Sequence, residues 1–341
     1  MTGPDPAVGA VRLAVRRGLT DAGPAPVLVA CSGGADSLAL LAATVFERRR
    51  DARPVIGVTV DHGLQEGSTG HAERVVVQMA ALGATETMTI RVRVDAPGLG
   101  PEAAAREARY AALSEAAQRS GAATVLLGHT LDDQAETVLL GLTRGSGGRS
   151  IAGMRSGFSE DDVVFLRPLL GVTRAQTEAA CAAEGIEFWR DPHNEDDRYT
   201  RSRLRRRVLP VLEEELGPGV ASALARTAGL LQADLAALDD IALLTLDAVR
   251  TADGGLDCTT LEVHYPAVFT RVLRRAAVEA GSPPSELFEV HVGALVDLMH
   301  GMPRTGHGPS PSGGGAVIQL PGHVTASLED WVMRFRPTVA R

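Results

Sequence analysis

This sequence of 341 residues contains no lysine: all 34 of its Lys+Arg residues are arginine. The absence excludes chemistries that need a lysine amine, namely the Walker A loop with its phosphate-reaching lysine, ligases that adenylate a lysine of their own, and Schiff-base enzymes. Cysteine is scarce too. Cys31, Cys181 and Cys258 are far apart and form no CxxC pair, so neither a disulfide framework nor a zinc knuckle is expected, and a reducing, cytoplasmic location fits. No run approaches the roughly 20 apolar residues of a membrane span, and the N-terminal stretch with Asp5 lacks an apolar leader, so no membrane partner is expected. A formal net charge of −8 argues against a chain that coats nucleic acid nonspecifically, but it leaves room for a local basic patch. With 45% hydrophobic and 22% charged residues, the chain has an ordinary globular composition and is long enough for two domains.

What is present begins with Ser32, Gly33, Gly34, Ala35, Asp36 and Ser37, placed between the apolar run Val27 to Cys31 and the helix-like stretch Leu38 to Arg50. Strand, glycine-rich turn and helix start form a phosphate cradle: glycines let backbone amides approach an anion, and the helix offers unpaired N–H groups and its positive dipole end. A carboxylate beside phosphates is repelled unless a divalent cation lies between them, which makes Asp36 a Mg²⁺ ligand candidate. An ordinary turn with Asp36 capping a helix is the competing reading.

Further strands are expected at Val55 to Val60, Thr87 to Val94 and Thr124 to Leu127, alternating with helices at Asp36 to Arg50, Ser68 to Leu82 and Pro101 to Arg119. Such alternation predicts an α/β fold, a mostly parallel, doubly wound sheet whose ligands bind beyond the carboxyl ends of the strands. The Ser32 to Ser37 loop, the pair Asp61 and His62, and the pair Gly128 and His129 all follow strands and fall on that edge. From Leu131 a helix would set Leu131, Ala135, Val138, Leu139 and Leu142 on one side and gather His129, Asp132, Asp133 and Glu136 on the other. Several carboxylates on one face repel unless a cation holds them, so metal ligation or acid-base work is one reading and a solvated acidic face the other. Arg106 and Arg109, at i and i+3, are placed to meet those carboxylates or a phosphate, or to form an exposed helix salt bridge.

Beyond Arg167 the run RPLLGVTR gives an extended piece and a new helix start. The segment 198–207 then holds Arg198, Arg201, Arg203, Arg205, Arg206 and Arg207. It reads as a contact for RNA backbone or phosphate, or as arginines paired internally with Glu195, Asp196, Asp197 and Glu213 to Glu215. After Gly217, Pro218 and Gly219 comes a helical seam of Val220, Leu224, Ala228, Leu231, Leu235 and Leu238, then helices over Ala267 to Ala280 and Glu286 to Met302, with Arg274 and Arg275 available on one surface. The expected domains are residues 1–216, the α/β part; 217–301, helical; 302–315, a flexible linker; and 316–341, a short strand segment with a hairpin turn at Pro321 and Gly322.

SGGADS, EAAAREARY, GHTLDDQAETVLLGLTRGSG, RPLL and WRDPHN followed by YTRSRLR together resemble the bacterial tRNA(Ile)-lysidine synthases of short form, in the PP-loop (N-type ATP pyrophosphatase) superfamily. The resemblance runs from about Pro26 to Pro210 and is weaker in the helical region and the LPG tail. It implies a carbon–nitrogen ligase that uses ATP to adenylate the 2-carbonyl oxygen of the wobble cytidine in the CAU anticodon of tRNA(Ile), releasing pyrophosphate. Free L-lysine then displaces AMP at that carbon to form lysidine. On this resemblance Ser32, Gly33, Gly34, Ala35, Asp36, Ser37, Asp61 and His62 bind ATP, with Mg²⁺ on Asp36. Asp132, Asp133, Glu136, Asn194, Arg201 and Arg205 bind substrate. Asp36, Arg109, His129, Asp133, Glu136 and Arg205 carry the reaction. A homodimer is left open. The sequence departs from the familiar pattern at Gln65, where arginine is usual, and at His193, where a small polar residue is commoner. Two other readings stand beside this one: a tRNA cytidine 2-thiolation enzyme, which would need cysteines for sulfur or an iron–sulfur cluster, and a non-catalytic nucleotide-binding protein.

Overall fold

The computed structural model describes residues 3–20, 22–50, 53–61, 68–92, 101–145, 147–191, 196–300 and 316–338. His62, Gln65, His193, Asn194 and the expected linker 302–315 lie outside the described residues. The chain divides into two compact units, Met1–Gly229 and Leu230–Arg341.

In the first unit α1 (Pro6–Leu19) leads into β1 (Val27–Ala30), α2 (Ala35–Arg48), β2 (Val55–Asp61), α3 (Ser68–Ala81), β3 (Glu86–Arg91), α4 (Pro101–Arg119) and β4 (Thr124–Leu126). Then come α5 (Leu131–Arg144), α6 (Gly148–Ile151), β5 (Gly157–Glu160), β6 (Val163–Leu166), α7 (Arg174–Ala183), α8 (Thr200–Arg203), a π-helical turn over Leu204–Val208, and α9 (Leu209–Leu216). The sheet runs β3-β2-β1-β4-β6-β5. All neighbours are parallel except β5, which pairs antiparallel with β6. That exception follows from a two-residue turn at Asp161 and Asp162, whose φ values of 49° and 62° match the twist of a tight hairpin. The expected doubly wound sheet is therefore present.

Alternation along β1 explains why both faces are covered. Val27 and Val29 belong to the core under α1, α2, α3 and α7. Leu28 between them packs on the opposite face with Tyr110, Leu113, Ala116 and Ala117 of α4. The chain leaves β1 toward β2 and β3, then returns to place β4 on β1's other side. That makes the β1/β4 junction the point where strand order reverses, the usual ligand crevice of an open α/β sheet.

Helix α10 (Val220–Val249) spans the division between units. The second unit continues with β7 (Leu256–Asp257), α11 (Cys258–Glu262), α12 (Pro266–Glu279), α13 (Glu289–Met299), β8 (Ala316–Leu320), β9 (Val324–Glu329) and β10 (Val332–Pro337). The compact units divide after Gly229, inside α10, whereas the expected boundary stood at residue 216. The terminal strands are also no separate segment: they form a four-stranded sheet, β7-β10-β9-β8, and Leu320, Val324, Ala326 and Met333 share one core with Leu246, Leu273 and Leu295 of the helices. Arg274 is likewise no open surface charge. It donates to the backbone carbonyls of Pro284 and Leu287, while Arg275 pairs with Glu279 at 3.4 Å. No helix of the described residues is long and apolar enough to cross a membrane.

Candidate active site

The loop after β1 is shaped by its glycines and pinned from outside. Gly33 has φ +83°, and a Cβ there would fall 2.7 Å from Val75 Cγ2 and 3.0 Å from His71 Cε1, so only glycine fits without strain. The Gly33 carbonyl accepts from the Trp189 backbone N–H at 2.9 Å, and a His71 ring nitrogen lies 2.9 Å from the Ser32 carbonyl oxygen. The His71 and Trp189 rings pack against each other tilted at 43°, with centroids 4.1 Å apart. Inside the loop the Ser37 hydroxyl donates to the Gly34 carbonyl at 2.9 Å and accepts from the Ser32 N–H at 3.1 Å. Gly34 caps α2 with no side-chain hydrogen bond, which leaves the first-turn N–H groups for an anion. Gly128, after β4, lets that strand end close onto the start of α2: a Cβ would lie 3.2 Å from the backbone of Asp36.

Asp36, in that first turn, reaches α7. Its Oδ2 accepts from Arg174 Nε at 3.2 Å, and its Oδ1 accepts the hydroxyl of buried Thr177. Arg174 Nη2 donates in turn to Asp133 Oδ1 at 3.0 Å, and the Arg174 backbone N–H donates to Asp132 Oδ2 at 2.8 Å. Asp133 closes the N-terminus of α5: its Oδ2 accepts from the Thr130 N–H at 2.8 Å and hydroxyl at 3.0 Å. Glu136, one turn further and 0% exposed, accepts from Arg205 Nε at 2.7 Å, with Arg201 Nη1 3.6 Å from its other oxygen. Arg205 also approaches Asp133 Oδ1 at 3.4 Å. It stands in the π-helical turn, a widened backbone common where a functional side chain must be re-aimed.

Electrostatics differ among these neighbours. Burial raises the Asp36 carboxyl above its ordinary range, opposed by Arg174 and the Thr177 hydroxyl. Burial also raises Glu136, opposed by Arg205. For Asp133, burial is outweighed by Arg174, the Thr130 N–H, His129 and Arg205, which together hold it below the usual value. His129 is lowered to about 4 by burial first and by Arg167, Arg109 and Arg106 against the opposing pull of Asp133. Its imidazole is therefore neutral near pH 7, whose Nδ1 has no hydrogen-bond partner among the described residues.

The predicted residues Asp36, Asp132, Asp133, Glu136, Arg201 and Arg205 thus converge in one ion-pair network, with the Ser32 to Ser37 loop at its edge. Others behave differently. Arg106 donates to the Tyr110 hydroxyl at 3.2 Å, and Arg109 lies with its guanidinium carbon 5.5 Å from that ring's centre. Buried Arg167 also donates to that hydroxyl, at 3.4 Å. Asp61 ends β2, held by the Thr69 hydroxyl at 3.2 Å and Arg91 at 3.4 Å, outside the network. The apolar stripe expected on α5 is incomplete, because Leu142 is 53% exposed while Glu136 is buried. Of the basic segment, Arg198 pairs with Asp196, and Arg206 and Arg207 pair with Asp197, so the internal-pairing reading holds for those three. Arg174, Thr177, His71 and Trp189 were missed as site residues. The signal for Arg174 was local: Thr173 and Gln176 form a capping box that sets Arg174 at the first helical position.

Each cysteine is buried, and its thiol donates to a carbonyl: Cys31 to Ser37, Cys181 to Ala35 and Cys258 to Leu256. Burial pushes all three thiols up, Cys181 to about 12 and Cys258 to about 11.

Comparison with known proteins adds four findings. The PP-loop domain family matches residues 11–212. A tRNA(Ile)-lysidine synthase of Salinispora arenicola (strain CNS-205) is 54% identical over 323 residues, 94% of this chain and 96% of that protein. One of Streptomyces coelicolor (strain ATCC BAA-471 / A3(2) / M145) is 50% identical over 351 residues, 95% of this chain and 96% of that one. Among solved structures, the U34-tRNA thiolase NcsA from Methanococcus maripaludis, with its 4Fe-4S cluster, is similar in fold: TM-score 0.56 at 18% identity, over 66% of this chain and 79% of that one.

Proposed function

The chain belongs to the tRNA(Ile)-lysidine synthase family of PP-loop proteins, and on that premise we propose that it joins lysine to the wobble cytidine of a CAU-anticodon tRNA(Ile) at the expense of ATP. The cytidine 2-carbonyl oxygen attacks the α-phosphorus of ATP and pyrophosphate leaves. The amine of free lysine then forms a bond to the 2-carbon, loses a proton, and AMP departs with the former carbonyl oxygen. Adenylation is what makes that second displacement feasible, since AMP leaves far more easily than an oxide.

The observation that carries this reading is the convergence of Asp36, next to the phosphate loop, with Asp133 and Glu136 on α5, linked through Arg174 and Arg205. The loop and the first turn of α2 bind the phosphates through N–H groups and the Ser32 and Ser37 hydroxyls. Asp36 suits Mg²⁺, a hard cation usually held by one or two carboxylates plus substrate phosphates, and in this structure its Oδ2 already faces a positive group, Arg174 Nε at 3.2 Å. Bound there, Mg²⁺ would supply charge neutralisation to the departing pyrophosphate. Asp133, kept ionised, and Glu136 receive the lysine ammonium. Glu136, held above its ordinary value, is suited to take the proton that the amine must lose. Arg109, Arg201 and Arg205 attend the base and phosphates, His129 shapes the face as a neutral ring, and the helical second unit contributes to tRNA binding. A cytoplasmic location belongs to the same reading.

Thiolation finds no support in the side chains, because three buried, carbonyl-bonded thiols with raised pKa are poor sulfur carriers. The deciding experiment is incubation with ATP, labelled lysine and unmodified CAU-anticodon tRNA(Ile), followed by nucleoside mass analysis. A lysine adduct on cytidine is expected, and its absence would overturn the proposal.

A further inference from the structure

Both oxygens of Asp36 are engaged by α7, Oδ2 by Arg174 and Oδ1 by Thr177, and the Arg174 guanidinium bridges on to Asp133. This arrangement conflicts with a loaded site. A divalent ion binds a carboxylate oxygen at about 2.1 Å, and Arg174 Nε sits 3.2 Å from Asp36 Oδ2, so two positive groups would share one oxygen. The lysine ammonium meets the same obstacle at Asp133 Oδ1, where Arg174 Nη2 lies at 3.0 Å.

The residue is built to move its head while keeping its base. Its backbone is fixed by the capping box of Thr173 and Gln176 and by the N–H bond to Asp132. The side chain is 23% exposed, and so retains a path out of the ion pairs. The phosphate loop is contiguous in sequence with Asp36, within a side chain's reach of the place Arg174 now occupies. In a chain without lysine, a planar guanidinium is the available fork for phosphate oxygens.

We propose that Arg174 is a positioning residue that exchanges partners during the reaction. Without nucleotide it stands in for the cations on Asp36 and Asp133; with nucleotide it turns onto the phosphate chain and releases both carboxylates to Mg²⁺ and to lysine. The proposal rests on the ATP-dependent ligase reading of this site.

Isothermal titration of the full chain tests it, using α,β-methylene ATP with Mg²⁺ in one series and Mn²⁺ without nucleotide in the other. Wild type is compared with Arg174→Gln, Arg174→Ala and Arg174→Lys after circular dichroism confirms folding. Removing the guanidinium is expected to weaken the nucleotide about tenfold and to tighten Mn²⁺ alone about tenfold. Arg174→Lys, which keeps the charge and loses the fork, should leave Mn²⁺ near wild type with the nucleotide still weakened. Opposite signs support partner exchange, since a residue that merely holds the site's shape would weaken both ligands together. Parallel losses, or no change in either, would overturn it. Failure of wild type to bind the nucleotide analogue would instead overturn the ligase reading, leaving the Mn²⁺ series to decide whether Arg174 blocks a cation site.

Discussion

Glu136 and Arg205 stand 69 positions apart and meet in a hydrogen bond of 2.7 Å, with the glutamate wholly enclosed. Burial alone would favour the neutral acid, and the guanidinium is what opposes that shift. Breaking a buried pair from one side costs about 3–5 kcal/mol because the remaining charge is uncompensated. Arg205 is 28% exposed, which puts this pair toward or below the lower end of that range. Arg205→Ala should lower the urea-unfolding free energy by about 2 kcal/mol, and Arg205→Ala combined with Glu136→Gln should recover part of the loss.

The proposed roles of Asp133 and Glu136 predict that the two half-reactions separate at α5. Asp133→Asn and Glu136→Gln are expected to reduce lysine transfer by about a hundredfold or more, while tRNA-dependent pyrophosphate release continues at a reduced rate. Following both products in one assay checks the split. Near-normal lysine transfer in either variant would remove that residue from the lysine site.

Gly33→Ala forces a side chain into a backbone conformation at φ +83° and against Val75 and His71. Strain of this kind costs about 1–3 kcal/mol, concentrated in the phosphate loop. The variant should melt only a few degrees lower yet lose ATP affinity by more than about tenfold, as read by nucleotide titration.

The neutral state of His129 predicts a pH signature. Its folded value is lowered to about 4 from the ordinary 6.5, so the unfolded chain takes up a proton first as pH falls. The resulting contribution to stability is fully present above about pH 6.5 and is lost as pH drops toward about 4. Between about pH 7 and about pH 4.5, wild type should lose about 2 kcal/mol more unfolding free energy than His129→Asn. Equal losses would show that His129 does not titrate in this way.

Replacing Cys31, Cys181 and Cys258 together with alanine tests the thiolation alternative. Their thiols make only weak bonds to carbonyls, so lysidine formation per folded molecule should stay within about threefold of wild type. Abolished activity in a variant that still folds would reopen sulfur chemistry.

Much of the first unit was legible locally. Valine-rich runs alternating with helical stretches are dictated by period, and β1, β2 and β4 fall where that pattern placed them. The helix beginning at Leu131 was equally readable, whereas the environment of its faces was not. Leu142 points to solvent and Glu136 is enclosed, because the surroundings of each face are set partly by α7 and the π-helical turn, which arrive from distant sequence. The terminal strands looked like an isolated hairpin, since short apolar runs do not show which helices they will pack on. The arginine segment carried too little information to divide it: Arg206 and Arg207 answer Asp197 nearby, while Arg201 and Arg205 cross to α5.

The sequence by itself determined the phosphate loop and the acidic start of α5, because each depends on residue types at fixed local spacing, and its composition excluded chemistry on a lysine side chain of the protein's own. Tertiary structure alone decided that Asp36, Asp133 and Glu136 share one network, and that Arg174, an unremarked helix-start residue, stands between two of them. The physical reason is range. Periodicity and capping act over a few residues, whereas an ion pair forms only once the sheet has brought α2, α5 and α7 to the same edge.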